Sequence, residues 1–460
     1  MPQDPSARMH SISDETERVV DRVLDASRRR ILLKDVPLDK PMTPADLARL
    51  ASGSISPGGL GDARALALFE HVLAPACISV DHPEYLSFIP SAPSKAALAF
   101  DLVVSASAVY GGSWLEGAGA VFAENEVLHW LAAEFGLPAG AGGVFVQGGT
   151  IGNLSALVAA RARARRVRRS VGAAMPESWV LVCSDEAHSS VASAAEVMDV
   201  EIVLAPADAD GRLRGEAVRA ALLEHGDSVF AVVATAGSTN FGTVDHLESI
   251  AALKDEHDFW LHVDGAYGLA GILADETREL FRGVERADSV IVDPHKWLFA
   301  PFDACALIYR DPLDGRIAHT QSAGYLDTLN QADEWNPSDF AIQLTRRPRG
   351  LPLWFSLATH GTDAYREAIG ACVRLAREIA DEIRSRPELR LVREPDLSVV
   401  VFEREGWAMA DYERWSAGLL DQQQAFVTPS SHHGRPVTRF AIVNPRSSVE
   451  KMSAVLDTMR

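Results

Sequence analysis

Cysteine is scarce in this sequence. The four cysteines stand far apart and form no C-x-x-C pair; they are Cys77, Cys183, Cys305 and Cys372. This pattern argues against a disulfide-stabilised secreted domain and favours a reducing compartment. Long apolar runs are also missing, because none approaches the roughly 20 residues that span a bilayer, and the stretch MPQDPSARMHSISDETERVV has no apolar export core. We therefore expect a cytoplasmic protein without a membrane segment.

An excess of positive charge is absent as well. The sequence has 44 Lys plus Arg against 63 Asp plus Glu, which gives a formal net charge of −19. That balance argues against nonspecific binding to nucleic acid or anionic membranes, so we expect small molecules or a second copy of the chain as partners. One basic run, RARARRVRRS at residues 161–170, offers a nucleic-acid arm as an alternative. Because it follows the apolar segment LSALVAA, we interpret it as a solvated helix end, where cations are favourable.

The spacing of apolar residues divides the chain into three parts. Residues 1–85 show helical spacing, as in DETERVVDRVLDASRRRILL, and are expected to pack on something else rather than fold alone. Residues 86–350 alternate short apolar runs with helical stretches, which is typical of an α/β domain with a mostly parallel sheet flanked by helices. In residues 351–460, LPLWFSLATHGTDAYREAIGACVRLAREIADEIRS predicts one long helix, and strand-like segments follow it. We expect these residues to form a small carboxyl-terminal α+β domain.

A glycine-rich turn follows an apolar run in the α/β part. In FVQGGTIGN, Gly148, Gly149 and Thr150 stand between a strand pattern and the helical pattern NLSALVAAR. Small residues let backbone N–H groups approach an anion, and the amino terminus of a helix adds positive potential. A phosphate would fit there, although a Gly-Gly-Thr turn taken alone is more often a plain loop.

Three further strand ends carry notable polar residues: His188 in SDEAHSS, Asp264 in WLHVDGAYG and Lys296 in VDPHKWLF. Each has a structural interpretation, namely an exposed or satisfied histidine, a capping aspartate and a lysine that reaches solvent. A buried lysine at a strand end is costly unless it is paired or covalently bound, and a Schiff base with an aldehyde meets that need. A histidine to stack on an aromatic ring, an aspartate for a pyridinium nitrogen, a lysine and a phosphate turn are the parts that pyridoxal phosphate requires.

In this order and spacing, the segments resemble the group II pyridoxal-phosphate-dependent amino acid decarboxylases. These fold type I enzymes include the aromatic-L-amino-acid, glutamate and 2,4-diaminobutyrate decarboxylases. The resemblance covers most of the chain, from HPEYLSFIPSAPSKAALAF through QGGTIGNLSALVAAR, DEAHSS, ATAGSTNFGTVDHL, WLHVDGAYG and DPHKWLFAPFDACALIYR to LTRRPRGLPLWFSLATHG and TRFAIVNPRSS. Its most specific feature is His-Lys-Trp after a strand, with the aspartate of WLHVDGAYG before it.

The resemblance implies a homodimer with shared active sites, in which the amino-terminal helices wrap the partner. It also implies that Lys296 forms the Schiff base with pyridoxal 5′-phosphate, His188 stacks on the ring and Asp264 keeps the ring nitrogen protonated. These three are the candidate catalytic residues. Other residues are expected to contact the cofactor or the substrate. Those for the cofactor are Gly149, Thr150, Thr239, Ala266 and His295, and those for the substrate are Phe88, Ser91 and Trp114.

Three features depart from the family pattern. The stretch LDTLNQADEWNPSDFAIQ, residues 326–343, has no tyrosine, whereas many relatives carry one on a mobile loop as the acid that protonates the α-carbon. Asp293 stands where aromatic-acid relatives often have asparagine. Glu116 adds a charge near the expected pocket, which we interpret as an interface or surface glutamate.

Several functions follow from these observations. The leading hypothesis is decarboxylation of an L-amino acid to the amine, with an aromatic substrate favoured because Phe88, Ile89 and Trp114 suggest an apolar pocket. In plant relatives, loss of the loop tyrosine accompanies decarboxylation coupled to oxidative deamination, which yields an aldehyde. Another fold type I reaction, such as transamination, is a third hypothesis. A non-catalytic protein on an inactive enzyme fold is a fourth, against which the intact Lys296, Asp264 and His188 argue.

Overall fold

The computed structural model describes residues 9–321 and 334–460, which contain fifteen α-helices and eleven strands. The helices are α1 (Asp14–Ile31), α2 (Pro44–Ala51), α3 (Asp62–Leu68), α4 (Lys95–Ala106), α5 (Trp114–Glu134), α6 (Gly149–Ser170), α7 (Ser189–Met198), α8 (Gly215–His225), α9 (Leu247–Ala252), α10 (Pro294–Trp297), α11 (Pro312–His319), α12 (Leu351–His360), α13 (Thr362–Arg384), α14 (Met409–Asp421) and α15 (Val449–Asp457). The strands are β1 (Gly142–Val146), β2 (Val180–Ser184), β3 (Glu201–Ala205), β4 (Val229–Thr235), β5 (Trp260–Asp264), β6 (Ser289–Val292), β7 (Cys305–Tyr309), β8 (Leu389–Leu391), β9 (Val399–Arg404), β10 (Pro429–His432) and β11 (Arg435–Ala441).

The central sheet contains β1 to β7 in the order β1-β7-β6-β5-β4-β2-β3. β2 to β6 pair in parallel, and β7 is antiparallel to both β1 and β6. Alternate residues of β6 enter different buried clusters: Val290 and Val292 pack in one, and Ile291 packs in the other. Both faces of the sheet are therefore covered, which explains why its strands are continuous apolar runs. The predicted α/β fold with a mostly parallel sheet flanked by helices is confirmed.

A smaller antiparallel sheet lies in the carboxyl-terminal part, in the order β10-β11-β9-β8. α13 buries one face against the large core, to which β9 and β11 also contribute; Ile369, Val373 and Ile379 lie on that face. A small carboxyl-terminal sheet with helices is thus present, as expected. The boundaries at residues 85/86 and 350/351 stay predictions.

The prediction of one long helix after residue 350 is wrong, because two helices form. Gly361 separates α12 from α13 and has φ 76° and ψ 163°, a backbone conformation that residues with a Cβ rarely adopt. Its N–H donates to the carbonyl of Leu357 and closes α12. The chain changes direction at this glycine, so α12 packs on α4 while α13 packs on the small sheet.

A buried ion pair joins α5 to the segment that leads into α12. The Arg346 guanidinium donates to both carboxylate oxygens of Glu124, at 2.8 and 3.0 Å, and also to the carbonyl of Phe145 on β1 at 3.1 Å. The backbone N–H of Gly350 donates to Glu124 at 2.7 Å. Because both side chains are almost fully buried, losing either partner would leave an uncompensated charge in the core. This pair fixes the edge strand β1 relative to the chain that returns after residue 334.

The four cysteines are unpaired, and only Cys77 is exposed. The reducing compartment and the cytoplasmic location stay predictions. Within residues 9–321 and 334–460, no helix combines the length and the apolar composition needed to cross a membrane.

Candidate active site

Polar residues that follow β1, β4, β5 and β6 line one cavity of about 310 Å³, which we call the strand-end cavity. These four strands run in the same direction, so their carboxyl ends meet at one edge of the sheet, where α/β folds bind ligands. Every residue expected to contact the cofactor lies in its wall. These residues are Gly149, Thr150, His188, Thr239, Asp264, Ala266, His295 and Lys296.

Lys296 lies in the short helix α10, directly after β6. Its Nζ is 3.0 Å from Oδ2 of Asp293, whose side chain is only 2% exposed. Burial lowers the pKa of Lys296, but the carboxylates of Asp293 and Asp264 raise it, and the net result is a pKa above that of an ordinary lysine. The free amine is therefore protonated near neutral pH and is surrounded by negative charge.

Asp264 ends β5 and is buried. Its Oδ2 accepts a hydrogen bond from Nδ2 of Asn153 at 2.8 Å, and its Oδ1 accepts from the backbone N–H of Ala266 at 3.1 Å. Two donors from different elements thus hold the carboxylate in one orientation. A carboxylate fixed at the cavity wall can accept a hydrogen bond from a protonated ring nitrogen.

His188 caps the amino terminus of α7. Its Nδ1 accepts from the backbone N–H of Ser190 at 3.2 Å and lies 2.8 Å from the Ser190 hydroxyl. The ring itself is exposed and lines the cavity. A histidine held by its edge in this way presents a face for stacking on an aromatic ring.

The glycine turn brings the amino terminus of α6 to the same cavity. A Cβ on Gly149 would lie 3.2 Å from Cβ of Ala266 and 3.2 Å from Oδ2 of Asp293, so the turn has little room for a side chain there. Nδ1 of His295 is 2.7 Å from the carbonyl of Ala304, which orients the ring beside Gly148. The outward N–H groups of the first turn of α6 make this end suitable for a phosphate.

The three residues expected to contact substrate do not line the strand-end cavity of the single chain. Ser91 is buried and donates to the carbonyl of Ala300, four residues after the lysine, at 3.2 Å. Phe88 is 56% exposed, with φ 52°, and Trp114 begins α5. Their substrate role stays a prediction. Glu116 is exposed and accepts a hydrogen bond from Ser113, in agreement with its interpretation as a surface residue.

Sequence reasoning missed several residues of the cavity wall. Asn153 and Ser190 bind the predicted Asp264 and His188, and Thr235, Gln147 and Phe302 also line the space. Asn153 left a usable signal, because it is a polar residue that precedes the apolar segment LSALVAA. The neighbouring sequence gave no comparable signal for Ser190, Thr235, Gln147 and Phe302.

Comparisons with known proteins identify the family. The conserved domain of the pyridoxal-dependent decarboxylases matches residues 64–405. The chain belongs to this family. Aromatic-L-amino-acid decarboxylase of Bacillus atrophaeus is 29% identical over 458 residues, which cover 95% of this chain and 92% of that protein. L-2,4-diaminobutyrate decarboxylase of Rhizobium meliloti is 32% identical over 415 residues, which cover 87% of this chain and 82% of that protein.

The fold of a solved relative agrees with this assignment. The crystal structure of Oryza sativa TDC with PLP and tryptamine superposes with a TM-score of 0.87 at 24% sequence identity, covering 100% of this chain and 99% of that chain. The protein is thus a pyridoxal-phosphate-dependent amino acid decarboxylase of fold type I, a carboxy-lyase. The substrate differs among the relatives and is considered below.

The strand-end cavity of this decarboxylase fits pyridoxal phosphate. Lys296 offers an amine for the aldehyde, Asp264 offers a carboxylate for the ring nitrogen, and α6 offers its amino terminus for the phosphate. The hydroxyl of Thr235 and the amide oxygen of Gln147 are buried in the wall and have no hydrogen-bond partner within the described parts of the chain. A polar ligand would satisfy such groups, which otherwise cost free energy.

The Asp293→Asn substitution is expected to move the pH dependence of cofactor attachment to lower pH. Removing the nearest carboxylate lowers the pKa of the Lys296 amine, so more of it is unprotonated and nucleophilic at a given pH. The measurement is the rate at which apoprotein regains the cofactor absorbance, recorded from pH 6 to about 10.

Asp303→Asn is the matched control for this test. Asp303 lines the same cavity, but its carboxylate is 44% exposed and accepts from Arg349 at 2.8 Å. This variant should keep the wild-type profile. If the profile of Asp293→Asn coincides with that of the wild type, Asp293 does not raise the pKa of Lys296 and this interpretation is wrong.

Proposed function

We propose that this decarboxylase converts an aromatic L-amino acid to its amine and CO₂, with Lys296, Asp264 and His188 as the catalytic residues. The observation that carries the proposal is the meeting of these three side chains and the amino terminus of α6 in one cavity. The family assignment establishes the type of reaction. The substrate class, the product and the roles of individual residues belong to the proposal.

Each residue has a distinct task. Lys296 would supply the amine that holds the cofactor aldehyde. The amino terminus of α6, with Thr150, Thr239 and His295 beside it, binds the phosphate. Bound pyridoxal phosphate supplies a ring that accepts the electron pair left when CO₂ departs.

The other two proposed catalytic residues, Asp264 and His188, have separate tasks at the cofactor ring. Asp264 would accept a hydrogen bond from the ring nitrogen and keep that nitrogen protonated, which is why its fixed orientation matters. His188 would stack on the cofactor ring and exclude water from it. Ala266, which closely approaches Gly149, would also pack against the ring.

An aromatic substrate is supported by a ring in the cavity wall. Phe302 lines the cavity and is 54% exposed. The similarity to the aromatic-L-amino-acid decarboxylase of Bacillus atrophaeus extends over 95% of this chain and agrees with this choice. The similarity to a diaminobutyrate decarboxylase makes a diamino acid the alternative substrate.

The product depends on what happens at the α-carbon after CO₂ leaves. Amine formation needs a proton at that carbon, and the stretch of residues 326–343 contains no tyrosine to supply it. Residues 326–333 of this stretch lie outside the described residues. The second candidate function is therefore oxidative: dioxygen takes the electron pair, and water releases ammonia, so that aldehyde, CO₂ and hydrogen peroxide form together.

The deciding experiment incubates purified, cofactor-loaded protein with a panel of L-amino acids and measures CO₂, amine, aldehyde, ammonia and peroxide together. The panel contains tryptophan, tyrosine, phenylalanine, histidine, 2,4-diaminobutyrate and glutamate. We expect amine equal to CO₂, with kcat/KM for the best aromatic substrate at least about tenfold above that for diaminobutyrate. Aldehyde, ammonia and peroxide in step with CO₂ would replace the amine product by the oxidative one.

Two lysine variants control this experiment. Lys296→Ala should abolish CO₂ release, whereas Lys254→Ala should retain it, because Lys254 pairs with Asp288 outside the strand-end cavity. Release of CO₂ by Lys296→Ala, or the absence of CO₂ with every substrate of the panel, would contradict the proposal.

We further propose that the protein is a homodimer with shared active sites. α1 has no buried residue, and apolar side chains are exposed on α1, α4 and α5. The exposed side chains are Val20, Val23, Leu24, Leu102, Val103, Leu115 and Phe122. A second copy would cover apolar area of this kind, and it would bring residues from another chain towards the cavity.

The double substitution Val103→Asp and Phe122→Asp is expected to convert the dimer to a monomer. Two buried charges at an apolar interface have no partners, so association should weaken by more than about a hundredfold. Sedimentation velocity measures the mass. Val171→Asp, at an exposed apolar position beyond the end of α6, should remain a dimer. A monomeric wild type, or a dimeric double variant, would contradict the proposal.

A further inference from the structure

A buried chain of hydrogen bonds runs behind the strand-end cavity. The indole N–H of Trp260 donates to the Ser289 hydroxyl at 2.8 Å, and that hydroxyl lies 2.8 Å from Nδ1 of His262. Nε2 of His262 lies 2.8 Å from Oδ1 of Asn153. All four side chains are at most 2% exposed, so water does not compete for these bonds.

Asn153 divides this chain into two branches. Its Nδ2 lies 2.8 Å from Oδ2 of Asp264 and 2.9 Å from the Ser190 hydroxyl, which in turn lies 2.8 Å from Nδ1 of His188. One amide group thus contacts the carboxylate assigned to the ring nitrogen and, through one hydroxyl, the histidine assigned to the ring face. We call the path from Trp260 through Ser289, His262 and Asn153 to Asp264 and Ser190 the Asn153 relay.

The position of each hydrogen in the relay follows from Asp264. An ionised carboxylate only accepts hydrogen bonds, so the Asn153 atom that faces it is the amide nitrogen, and the amide oxygen faces His262. His262 must then donate from Nε2. Burial lowers the pKa of His262 to about 4, against the attraction of Asp264, so the ring is neutral at physiological pH. A neutral ring with its hydrogen on Nε2 accepts at Nδ1, where Ser289 donates.

The same argument determines which ring nitrogen of His188 carries the hydrogen. The Ser190 hydroxyl accepts from Asn153, and its own hydrogen points to Nδ1 of His188, which also accepts the Ser190 backbone N–H. With Nδ1 as an acceptor, the ring hydrogen of His188 lies on Nε2. This places an N–H donor at the solvent-facing edge of the ring in the strand-end cavity.

We propose that Asn153 is a positioning residue, held in one orientation by neutral His262, that sets the geometry of both Asp264 and His188. The geometry that supports this is the three-way contact of one buried amide with His262, Asp264 and Ser190. The inference rests on the proposed roles of Asp264 and His188. It adds that both groups are positioned by one buried amide in the cavity wall.

The relay predicts graded effects on cofactor binding. His262→Phe removes the donor to Asn153 and leaves the amide free to rotate, so the Kd for pyridoxal phosphate should rise by about 10- to 100-fold, in the range expected for hydrogen bonds to a charged group. Asn153→Leu removes both branches and should be at least as severe. His262→Gln keeps an N–H donor, so its increase in log Kd should be at most half of the increase in His262→Phe.

Three readouts separate positioning from general destabilisation. They are the Kd of the apoprotein for pyridoxal phosphate, the pH dependence of the bound-cofactor absorbance, and the thermal midpoint of the apoprotein. A misplaced Asp264 holds the ring proton less firmly, and the ring nitrogen is conjugated with the Schiff base, so the pH of the absorbance transition in His262→Phe and Asn153→Leu should shift from that of the wild type. A purely structural role would lower the thermal midpoint without moving that transition.

His319→Phe is the matched control. His319 is also a buried histidine, and its Nε2 donates to the carbonyl of Ser155, which lies on α6 two residues from Asn153. This variant should keep the Kd within about threefold of the wild type. Ser190→Ala cuts only the branch to His188 and should leave the absorbance transition unchanged while lowering kcat.

Asp264→Asn distinguishes failure of the inference from failure of the proposed function. If Asp264→Asn moves the absorbance transition while folded His262→Phe and Asn153→Leu do not, the relay is overturned and the role of Asp264 stands. If Asp264→Asn leaves both Kd and transition unchanged, the proposed role of Asp264 falls, and the relay falls with it. Equal losses in His262→Gln and His262→Phe would also overturn the relay, because they would show that the donated hydrogen is irrelevant.

Discussion

A lysine ammonium lies at the buried end of a strand because carboxylates surround it. Burial disfavours the charge of Lys296, and Asp293 at 3.0 Å together with Asp264 more than offsets that cost. The rest of the site depends on this balance, since an unpaired ammonium would not persist beside four apolar strands. The same negative charge explains why a cationic ring nitrogen and a polar cofactor suit the cavity.

The sheet provides the geometry in which these charges meet. Because β4, β5 and β6 are parallel and β1 runs in their direction, the turns after them converge at one edge. The buried pair of Arg346 and Glu124 holds β1 to the returning chain, and α6 closes one end of the cavity. Behind the cavity, Asn153 connects the two polar side chains that sequence alone presents as independent.

The sequence predicted the elements whose signals are local. Buried parallel strands appear as continuous apolar runs, and Gly149, Asp264 and Lys296 follow such runs, so their meeting was expected from the topology of α/β sheets. The break at Gly361 was not predicted, because a long helical spacing outweighed a single glycine. Whether the glycine takes a positive φ depends on packing against α4 and the small sheet, which lie far away in sequence.

Sequence analysis mainly failed to predict contacts between segments that lie far apart in the chain. His262 lies inside an apolar strand and contacts Asn153, which is 109 positions away, so no local pattern indicates the bond. Phe88, Ser91 and Trp114, which are predicted to contact the substrate, do not line the cavity of the single chain, and their role stays a prediction. Packing between distant segments, rather than residue type, decides such positions.

In the proposed site, Lys296 is the residue that carries the cofactor. The direct test is reduction of the purified, cofactor-loaded protein with sodium borohydride, followed by proteolysis and mass spectrometry. The expected result is a single phosphopyridoxyl group per chain, on Lys296. Attachment to another lysine, such as Lys95 or Lys254, or a protein that takes up the cofactor without any covalent attachment, would contradict the claim.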